Sequence, residues 1–176
     1  MTDFDKAFAA VVGAEGVYSS DADDPGNWTG GGKGKGQLKG TKYGISAMSY
    51  PSLDIKALTL AQAKAIYKRD FWDAVAGDAL PWPFNYVLFD TVVNQGGGAK
   101  LWKGELQSAL NLVPDGAIGP KSQAAARSAA ASFDRRAEVI GLYTAARIRR
   151  YVEKSNPKFQ RGLFKRAVVT AMRCAP

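Results

Sequence analysis

The sequence contains no histidine and only one cysteine, Cys174, which lies close to the C-terminus. Without histidine, a Ser-His triad, a histidine-ligated zinc site and a histidine general base are all excluded. One cysteine cannot form a disulfide within the chain, so the fold does not depend on an oxidising compartment. We expect Cys174 to have no functional role.

Long hydrophobic runs are also missing, and none approaches the roughly 20 apolar residues of a transmembrane helix. The first residues, MTDFDKAF, are acidic where a secretory signal would be basic, so we read no such signal. The sequence therefore predicts a chain made as a soluble cytoplasmic protein. If it acts beyond the cytoplasm, another component must release it.

The composition is that of a globular protein, with 46% hydrophobic residues in a chain of 176 residues. This length predicts a single domain, residues 1–176. The net charge is +8, which favours an anionic partner. Nucleic acid, an anionic membrane surface and an anionic cell-wall polymer all fit this charge, but the chain has no recognised nucleic-acid-binding motif.

Helical patterns dominate the first half of the chain. The apolar spacing predicts a helix over residues 3–15, with Gly16 as its C-cap. A capping box of Thr59 and Gln62 predicts a second helix, which extends to about residue 73. The segment FNYVLFDTVVNQ, residues 84–95, is apolar on two faces and predicts a buried central helix.

Residues 19–44 differ from the rest because glycine, serine, aspartate and lysine dominate them, which predicts an ordered loop or irregular hairpin. After residue 98 we expect a helix at about 99–111, the turn PDGAIGP and two or three further helices. The predicted fold class is therefore mainly α, with a small irregular β or loop segment near residues 19–44.

Glu15 continues the apolar stripe of the first predicted helix. Desolvation and the negative end of a helix both raise the pKa of a carboxyl group. A carboxylic acid that stays protonated near neutral pH can donate a proton to a glycosidic oxygen. The alternative is a partly exposed glutamate at a frayed helix end.

Asp24 and Thr41 are candidate partners of Glu15. Asp24 lies nine residues after Glu15, in the turn sequence DDPG, and Thr41 lies in KGTKYGIS. In an inverting glycosidase a second carboxylate activates water opposite the acid, and a threonine can hydrogen-bond that water. Each of the two could instead be an ordinary turn or packing residue.

Three further polar or aromatic residues are candidates for substrate binding. Tyr18 and Tyr43 flank the proposed site and could contact sugar rings, or they could simply pack. Asp90 and Asn94 lie four residues apart and share a helix face. We expect Asp90 to tie the loop to the helix, whereas Asn94 either does the same or contacts substrate.

The order of several short motifs resembles glycoside hydrolase family 108, the N-acetylmuramidases found among phage endolysins. AEGVYSSDADDPGNWT followed by GTKYGIS is similar to the E-G-G-Y, D-P-G-G and T-N-Y-G-I-T segments of that family. LFDTVVNQGGGAKLWKGELQSALNLVPDGAIGPKS resembles its F-D, V-N-x-G, L-Q-x-A-L and D-G-x-I-G-P segments. The resemblance extends over roughly residues 4–175.

This resemblance implies a lysozyme-like helical fold and hydrolysis of the β-1,4 bond between N-acetylmuramic acid and N-acetylglucosamine in peptidoglycan. It places the catalytic glutamate at Glu15, and by analogy with phage lysozymes it supports Asp24 and Thr41. It divides the domain into a muramidase part, residues 1–98, and a helical part resembling a peptidoglycan-binding region, residues 99–176. The resemblance implies no metal or organic cofactor. We expect a monomer. An endolysin without a secretory signal would leave the cytoplasm through a holin pore.

The sequence also departs from the family pattern. Val17 replaces the second glycine of E-G-G-Y, Lys42 replaces the asparagine of T-N-Y, and about thirteen residues, WTGGGKGKGQLKG, are inserted before Thr41. Together these departures predict that four lysines border the cleft: Lys33, Lys35, Lys39 and Lys42.

Two alternative functions remain, a peptidoglycan-binding module without catalysis and a lytic transglycosylase. The C-terminal RGLFKRAVVTAMR, with RIRR before it, mixes basic and apolar residues. It is either a core helix with a basic outer face or a helix that binds an anionic outer-membrane surface.

Overall fold

The computed structural model describes residues 1–13, 16–95 and 98–174. The α-helices in these ranges are α1 Asp3–Val11, α2 Leu60–Tyr67, α3 Phe84–Gln95, α4 Ala99–Ala109, α5 Pro120–Ala131, α6 Phe133–Lys154 and α7 Pro157–Met172. Strands β1 Thr41–Lys42 and β2 Ile45–Ser46 pair as an antiparallel hairpin, in which Thr41 faces Ser46. The prediction of a mainly α fold with a small β segment is confirmed, and the architecture is consistent with a lysozyme-like fold.

The chain divides into two compact units. One unit is Phe8–Arg69, which holds the glycine-rich segment, the β-hairpin and α2. The other combines Met1–Ala7 with Asp70–Pro176, and it holds α3 to α7. The single domain 1–176 and its division at residue 98 stay predictions.

Helix α1 ends earlier than its apolar spacing predicts, at Val11 instead of residue 15. Gly13, not Gly16, adopts the left-handed backbone conformation that stops a helix, with a φ of 74°. The backbone N–H groups of Val12 and Gly13 both donate to the carbonyl of Phe8. The predicted helix over residues 3–15 was therefore too long, because two nearby glycines were equally suited to end it.

Helix α2 begins as the sequence predicts. The Thr59 hydroxyl accepts from the Gln62 backbone N–H at 3.2 Å, and the Gln62 side chain accepts from the Thr59 backbone N–H at 2.9 Å. After Tyr67 the chain continues as a short π-helical segment, Lys68–Trp72, so the helical run reaches almost to the predicted residue 73. The capping-box prediction is confirmed.

The core of the larger unit surrounds α3, which is buried on both faces as the sequence predicts. Phe4, Trp72 and Phe89 form an aromatic cluster with ring centroids 5.4 to 6.0 Å apart. All three side chains are less than 8% exposed. Such tilted and edge-on ring pairs each add about 1 kcal/mol to the stabilisation from apolar burial.

Asp90 on α3 is the charged centre of the same unit. Its carboxylate pairs with Arg147 of α6 at 2.6 Å and with Arg166 of α7 at 2.7 Å, and it accepts from the Thr170 hydroxyl at 3.1 Å. Asp90 and Arg147 are both almost completely buried. We expected Asp90 to tie the glycine-rich loop to the helix, but the ion pairs show that it joins α3 to α6 and α7.

After the PDGAIGP turn, the described residues up to 174 form three helices, α5, α6 and α7, which is the larger of the two predicted numbers. Side-chain oxygens accept backbone N–H bonds at the starts of two of them, Ser132 for α6 and Asn156 for α7. Within the ranges that the structure describes, no helix combines the length and the apolar character needed to cross a membrane.

Candidate functional site

The chain segment that follows Glu15 is bound to the β-hairpin. The backbone N–H of Ser19 donates to the Thr41 carbonyl at 2.9 Å, and the Thr41 N–H donates back to the Ser19 carbonyl at 2.8 Å. This pair is an isolated antiparallel bridge next to β1. It fixes residue 19 beside Thr41, one of the residues predicted to take part in catalysis.

Gly16, the residue directly after Glu15, packs against the ring of Tyr43. A Cβ atom on Gly16 would overlap carbon atoms of that ring. Tyr43 itself has a φ of 52°, a conformation that non-glycine residues rarely adopt. Its carbonyl accepts a 3.0 Å hydrogen bond from the Tyr67 hydroxyl, whose pKa is raised by burial. Position 16 therefore needs a glycine, because the Tyr43 ring occupies the space that a Cβ atom would fill.

Tyr18 makes a second contact of the same kind. Its ring lies against Gly40, where a Cβ atom would come within 2.6 Å of the ring. The Tyr18 hydroxyl donates to the Lys39 carbonyl at 3.2 Å. Tyr18 and Tyr43 thus both hold the segment after Glu15 against the hairpin, while their predicted contacts with substrate stay predictions.

Asn27 is the buried polar centre of this region. Its side-chain amide donates to the Asp21 carbonyl at 2.9 Å, and its Oδ1 accepts from the Thr41 hydroxyl at 2.7 Å. Its backbone carbonyl accepts from the N–H groups of Lys39 and Gly40, both at 3.0 Å. The side chain is completely buried. Our sequence reasoning missed this residue, whose partners are scattered along the loop and leave no local spacing signal.

Asp24 caps the short 3₁₀ turn Pro25–Asn27. Its Oδ1 accepts from the Gly26 backbone N–H at 2.8 Å, and its carbonyl accepts from the Asn27 N–H at 3.1 Å. The side chain is exposed. Its Oδ2 receives no hydrogen bond from the residues that the structure describes. Asp24 is thus a turn residue whose second oxygen faces solvent, and Asn27 links it to Thr41.

The inserted segment is an ordered ribbon. Trp28 and Leu38 form an antiparallel bridge, Thr29 and Gln37 are joined through backbone and hydroxyl groups, and the chain reverses between Gly30 and Lys35.

The lysines of this region have defined neighbours. The ammonium of Lys33 pairs with Asp23, while Lys39 donates to the Pro51 carbonyl at 2.8 Å and Lys42 to the Lys56 carbonyl at 3.0 Å. Whether these lysines border a substrate cleft stays a prediction.

Two predicted site residues are not among the described residues of the loop and hairpin. Glu15 lies outside the described residues. Asn94 is on α3, in the other compact unit, where its amide donates to the Asp90 carbonyl at 2.7 Å. This is a hydrogen bond from a polar side chain to the backbone of its own helix, four residues earlier. Its role in substrate binding stays a prediction.

The described arrangement has no features of a metal centre. In residues 1–13, 16–95 and 98–174, no three acidic or cysteine side chains cluster closely enough to hold a metal ion. What the loop and hairpin do provide is an exposed carboxylate, a hydroxyl of fixed orientation and two aromatic rings. Groups of these kinds can orient a water molecule or contact a sugar, and their joint action at one site stays a prediction.

Comparisons with known proteins support a specific family. No curated protein matches the chain. A solved structure, SagA from Brucella abortus, matches with a TM-score of 0.67 and 27% identity, covering 97% of this chain and 92% of that one. The sequence model of the family "Glycosyl hydrolase 108" matches residues 8–96, half of the chain, including Glu15, Asp24 and Thr41. The chain belongs to glycosyl hydrolase family 108.

Proposed function

We propose that this protein is an N-acetylmuramidase that hydrolyses the β-1,4 bond between N-acetylmuramic acid and N-acetylglucosamine in peptidoglycan. Its family is one of glycoside hydrolases, and the matched residues include Glu15 and the whole loop and hairpin. The observation that carries the proposal is the tethering of the segment after Glu15. Gly16 packs on Tyr43, and Ser19 bridges to Thr41.

In this proposal Glu15 is the general acid. It donates its proton to the glycosidic oxygen as the bond to the anomeric carbon breaks and positive charge develops on the sugar ring. Asp24 takes a proton from the attacking water through its free Oδ2, and the Thr41 hydroxyl oxygen accepts a hydrogen bond from that water. The bond from Thr41 to Asn27 supports this role, since it fixes the hydroxyl hydrogen and leaves the lone pairs available.

Substrate contacts are proposed for three further residues. The rings of Tyr18 and Tyr43 would face sugars or N-acetyl groups, and Asn94 would donate or accept a hydrogen bond. The chemistry needs no metal or organic cofactor. The enzyme is proposed to act as a monomer.

Digestion in water enriched in oxygen-18 tests the reaction. Purified Gram-negative sacculi are incubated with the protein, and the soluble fragments are analysed by mass spectrometry. Hydrolysis incorporates one labelled oxygen at the reducing-end muramic acid of each fragment. We expect this label in the wild-type digest.

Two other products would assign a different function. Fragments ending in 1,6-anhydro-muramic acid, without label, would identify a lytic transglycosylase. Protein that binds the sacculi and releases no fragments would identify a binding module. Either result contradicts hydrolysis by Glu15 and Asp24.

We further propose that the enzyme is a phage endolysin, made in the host cytoplasm and released to the wall through a holin pore. The resemblance to a family found among phage endolysins supports this. Expression in Escherichia coli, with and without a co-expressed holin, tests it. Lysis only with the holin is expected, and rapid lysis without it would contradict this route.

A further inference from the structure

The net positive charge of this protein comes from its C-terminal segment, residues 133–176, which contains α6 and α7. Residues 1–132 contain thirteen basic and thirteen acidic side chains, so they are neutral as a group. Residues 133–176 contain eleven basic and three acidic side chains, which equals the entire net charge of +8. The attraction of the protein to an anionic partner is therefore concentrated on α6 and α7.

Part of this charge is paired with carboxylates within the protein. Arg147 and Arg166 pair with the buried Asp90, and Arg135 pairs with Glu138. The remaining cations include a row on the outer face of α7: Lys158, Arg161 and Lys165. Each of the three is exposed, and no carboxylate in the described part of the chain lies within 4.0 Å of it.

The same row becomes apolar toward the end of α7. Val168 and Met172 follow Lys165 at helical spacing, and their side chains are 46% and 69% exposed. We call the row of Lys158, Arg161, Lys165, Val168 and Met172 the α7 face. The α7 face therefore presents two neighbouring exposed apolar side chains beside its cations.

An apolar cavity adjoins the α7 face. It has a volume of about 280 Å³ and lies between the end of α7 and the start of α6. Met172 and Ala171 line it from α7, and Phe133, Ala137 and Ile140 line it from α6. Phe133 is 61% exposed at its rim. The apolar end of the α7 face is therefore part of a larger apolar surface.

We propose that the α7 face, with the adjoining cavity, docks on the surface of an anionic lipid bilayer. The cations match lipid phosphates, and the apolar side chains at the end of the same face can enter the boundary between headgroups and acyl chains. A soluble anionic polymer would satisfy only the cations and would leave Val168, Met172 and Phe133 in water. The combination of both chemistries on one face favours lipid over polymer.

Vesicle flotation of the full-length protein tests this proposal. One set of vesicles contains phosphatidylglycerol and phosphatidylcholine in equal parts, and the other contains phosphatidylcholine alone. We expect the wild type to float with the anionic vesicles only. Binding to poly-glutamate, measured in parallel, provides a polyanion without an apolar phase.

Two variants separate the charged and apolar contributions. The variant Lys158→Gln, Arg161→Gln, Lys165→Gln should lose affinity for anionic vesicles by about 100-fold, since each basic residue at such a surface contributes roughly a factor of 5. A matched control, Lys56→Gln, Lys121→Gln, Arg127→Gln, removes the same charge from the first 132 residues and should change affinity by less than about threefold. The variant Val168→Ser, Met172→Ser should bind anionic vesicles more weakly, by about tenfold, and poly-glutamate like the wild type.

Three results would overturn the proposal. One is an absence of wild-type binding to anionic vesicles. Another is an equal loss in the control and α7 variants, which would indicate attraction by overall charge. The third is that the Val168→Ser, Met172→Ser variant binds anionic vesicles as tightly as the wild type does, which would identify a polymer-binding surface. Circular dichroism verifies that each variant is folded, and sacculus digestion by every variant should equal that of the wild type, independently of lipid binding.

Discussion

The hydroxyl of Thr41 donates a 2.7 Å hydrogen bond to Oδ1 of Asn27, a side chain that is completely buried. Asn27 ends the turn that Asp24 caps, and Thr41 begins β1. A single asparagine thus connects the loop carrying one candidate catalytic residue to the strand carrying the other. Because Ser19 bridges to Thr41, the segment after Glu15 belongs to the same network.

Replacing Asn27 should therefore weaken both the fold and the activity. Asn27→Ala removes two side-chain hydrogen bonds at a fully buried position, and the Thr41 hydroxyl loses the acceptor that holds it. We expect a loss of about 2–4 kcal/mol in the free energy of unfolding, measured by urea titration. Turbidity loss of a sacculus suspension should slow by at least about tenfold, the effect of about 1.4 kcal/mol on the barrier.

The matched control for this substitution is Gln37→Ala, in the exposed part of the same loop. It should change the free energy of unfolding by less than about 0.5 kcal/mol. Full wild-type stability and activity in Asn27→Ala would show that this network does not organise the loop.

The contact between Gly16 and Tyr43 predicts a coupled pair of substitutions. Gly16→Ala forces the Tyr43 ring away and should destabilise the protein by about 1–3 kcal/mol. Tyr43→Gly removes the ring and relieves the positive φ of residue 43. In that background Gly16→Ala should cost less than about 0.5 kcal/mol, as urea unfolding of all four proteins can measure. Additive effects of the two substitutions would contradict the contact.

Asp90 should be the most sensitive position of the larger unit. Asp90→Asn leaves Arg147, which is fully buried, without its charged partner. We expect a loss of about 3–5 kcal/mol in the free energy of unfolding. Arg166→Gln serves as the comparison, because its side chain is 35% exposed and water can replace part of the interaction, so the cost should be about 1 kcal/mol. Equal effects of the two substitutions would be inconsistent with a buried charged centre.

The single thiol predicts a specific alkaline destabilisation. Burial raises the pKa of Cys174 from 9.0 to about 12. Above pH 9 the unfolded chain therefore loses this proton while the folded protein keeps it, so unfolding becomes more favourable as the pH rises. The thiol's contribution to the free energy of unfolding is complete below pH 9. Above pH 9 it decreases by about 1.4 kcal/mol per pH unit until the pH reaches the pKa of the thiol in the folded protein.

Comparison with Cys174→Ala isolates this contribution from other groups that titrate at high pH. From about pH 8 to about pH 10 the wild type should lose about 1.4 kcal/mol more than the variant in the free energy of unfolding. Parallel decreases in the two proteins would show that the thiol is accessible to water in the folded state.

Local signals in the sequence predicted much of the fold. The capping box at Thr59 and the two apolar faces of residues 84–95 correspond to interactions within one element, and both predictions are confirmed. The predicted end of α1 was wrong, because contacts beyond the helix decide whether Gly13 or Gly16 ends it. Gly16 is required elsewhere, against a tyrosine 27 positions later in the chain.

The interactions that organise the site and the core join distant residues, and these could not be predicted. Thr41 reaches Asn27 across 14 residues, and Arg166 reaches Asp90 across 76. Neither pair has a characteristic spacing, because its geometry arises only when loops and helices have packed. The motif around Asp24 predicted a turn correctly, whereas its catalytic role stays a prediction.

The most direct test of the account is the digestion of purified sacculi by Glu15→Gln, compared with wild type and with Glu138→Gln. Glu138 is an exposed residue of α6 outside the family match at residues 8–96, so its variant removes the same charge from a residue with no proposed role in catalysis. We expect Glu138→Gln to release reducing-end muramic acid like the wild type, and Glu15→Gln to release at least about 1000-fold less, since it cannot donate a proton. Release by Glu15→Gln at the wild-type rate would contradict the proposal that Glu15 is the general acid.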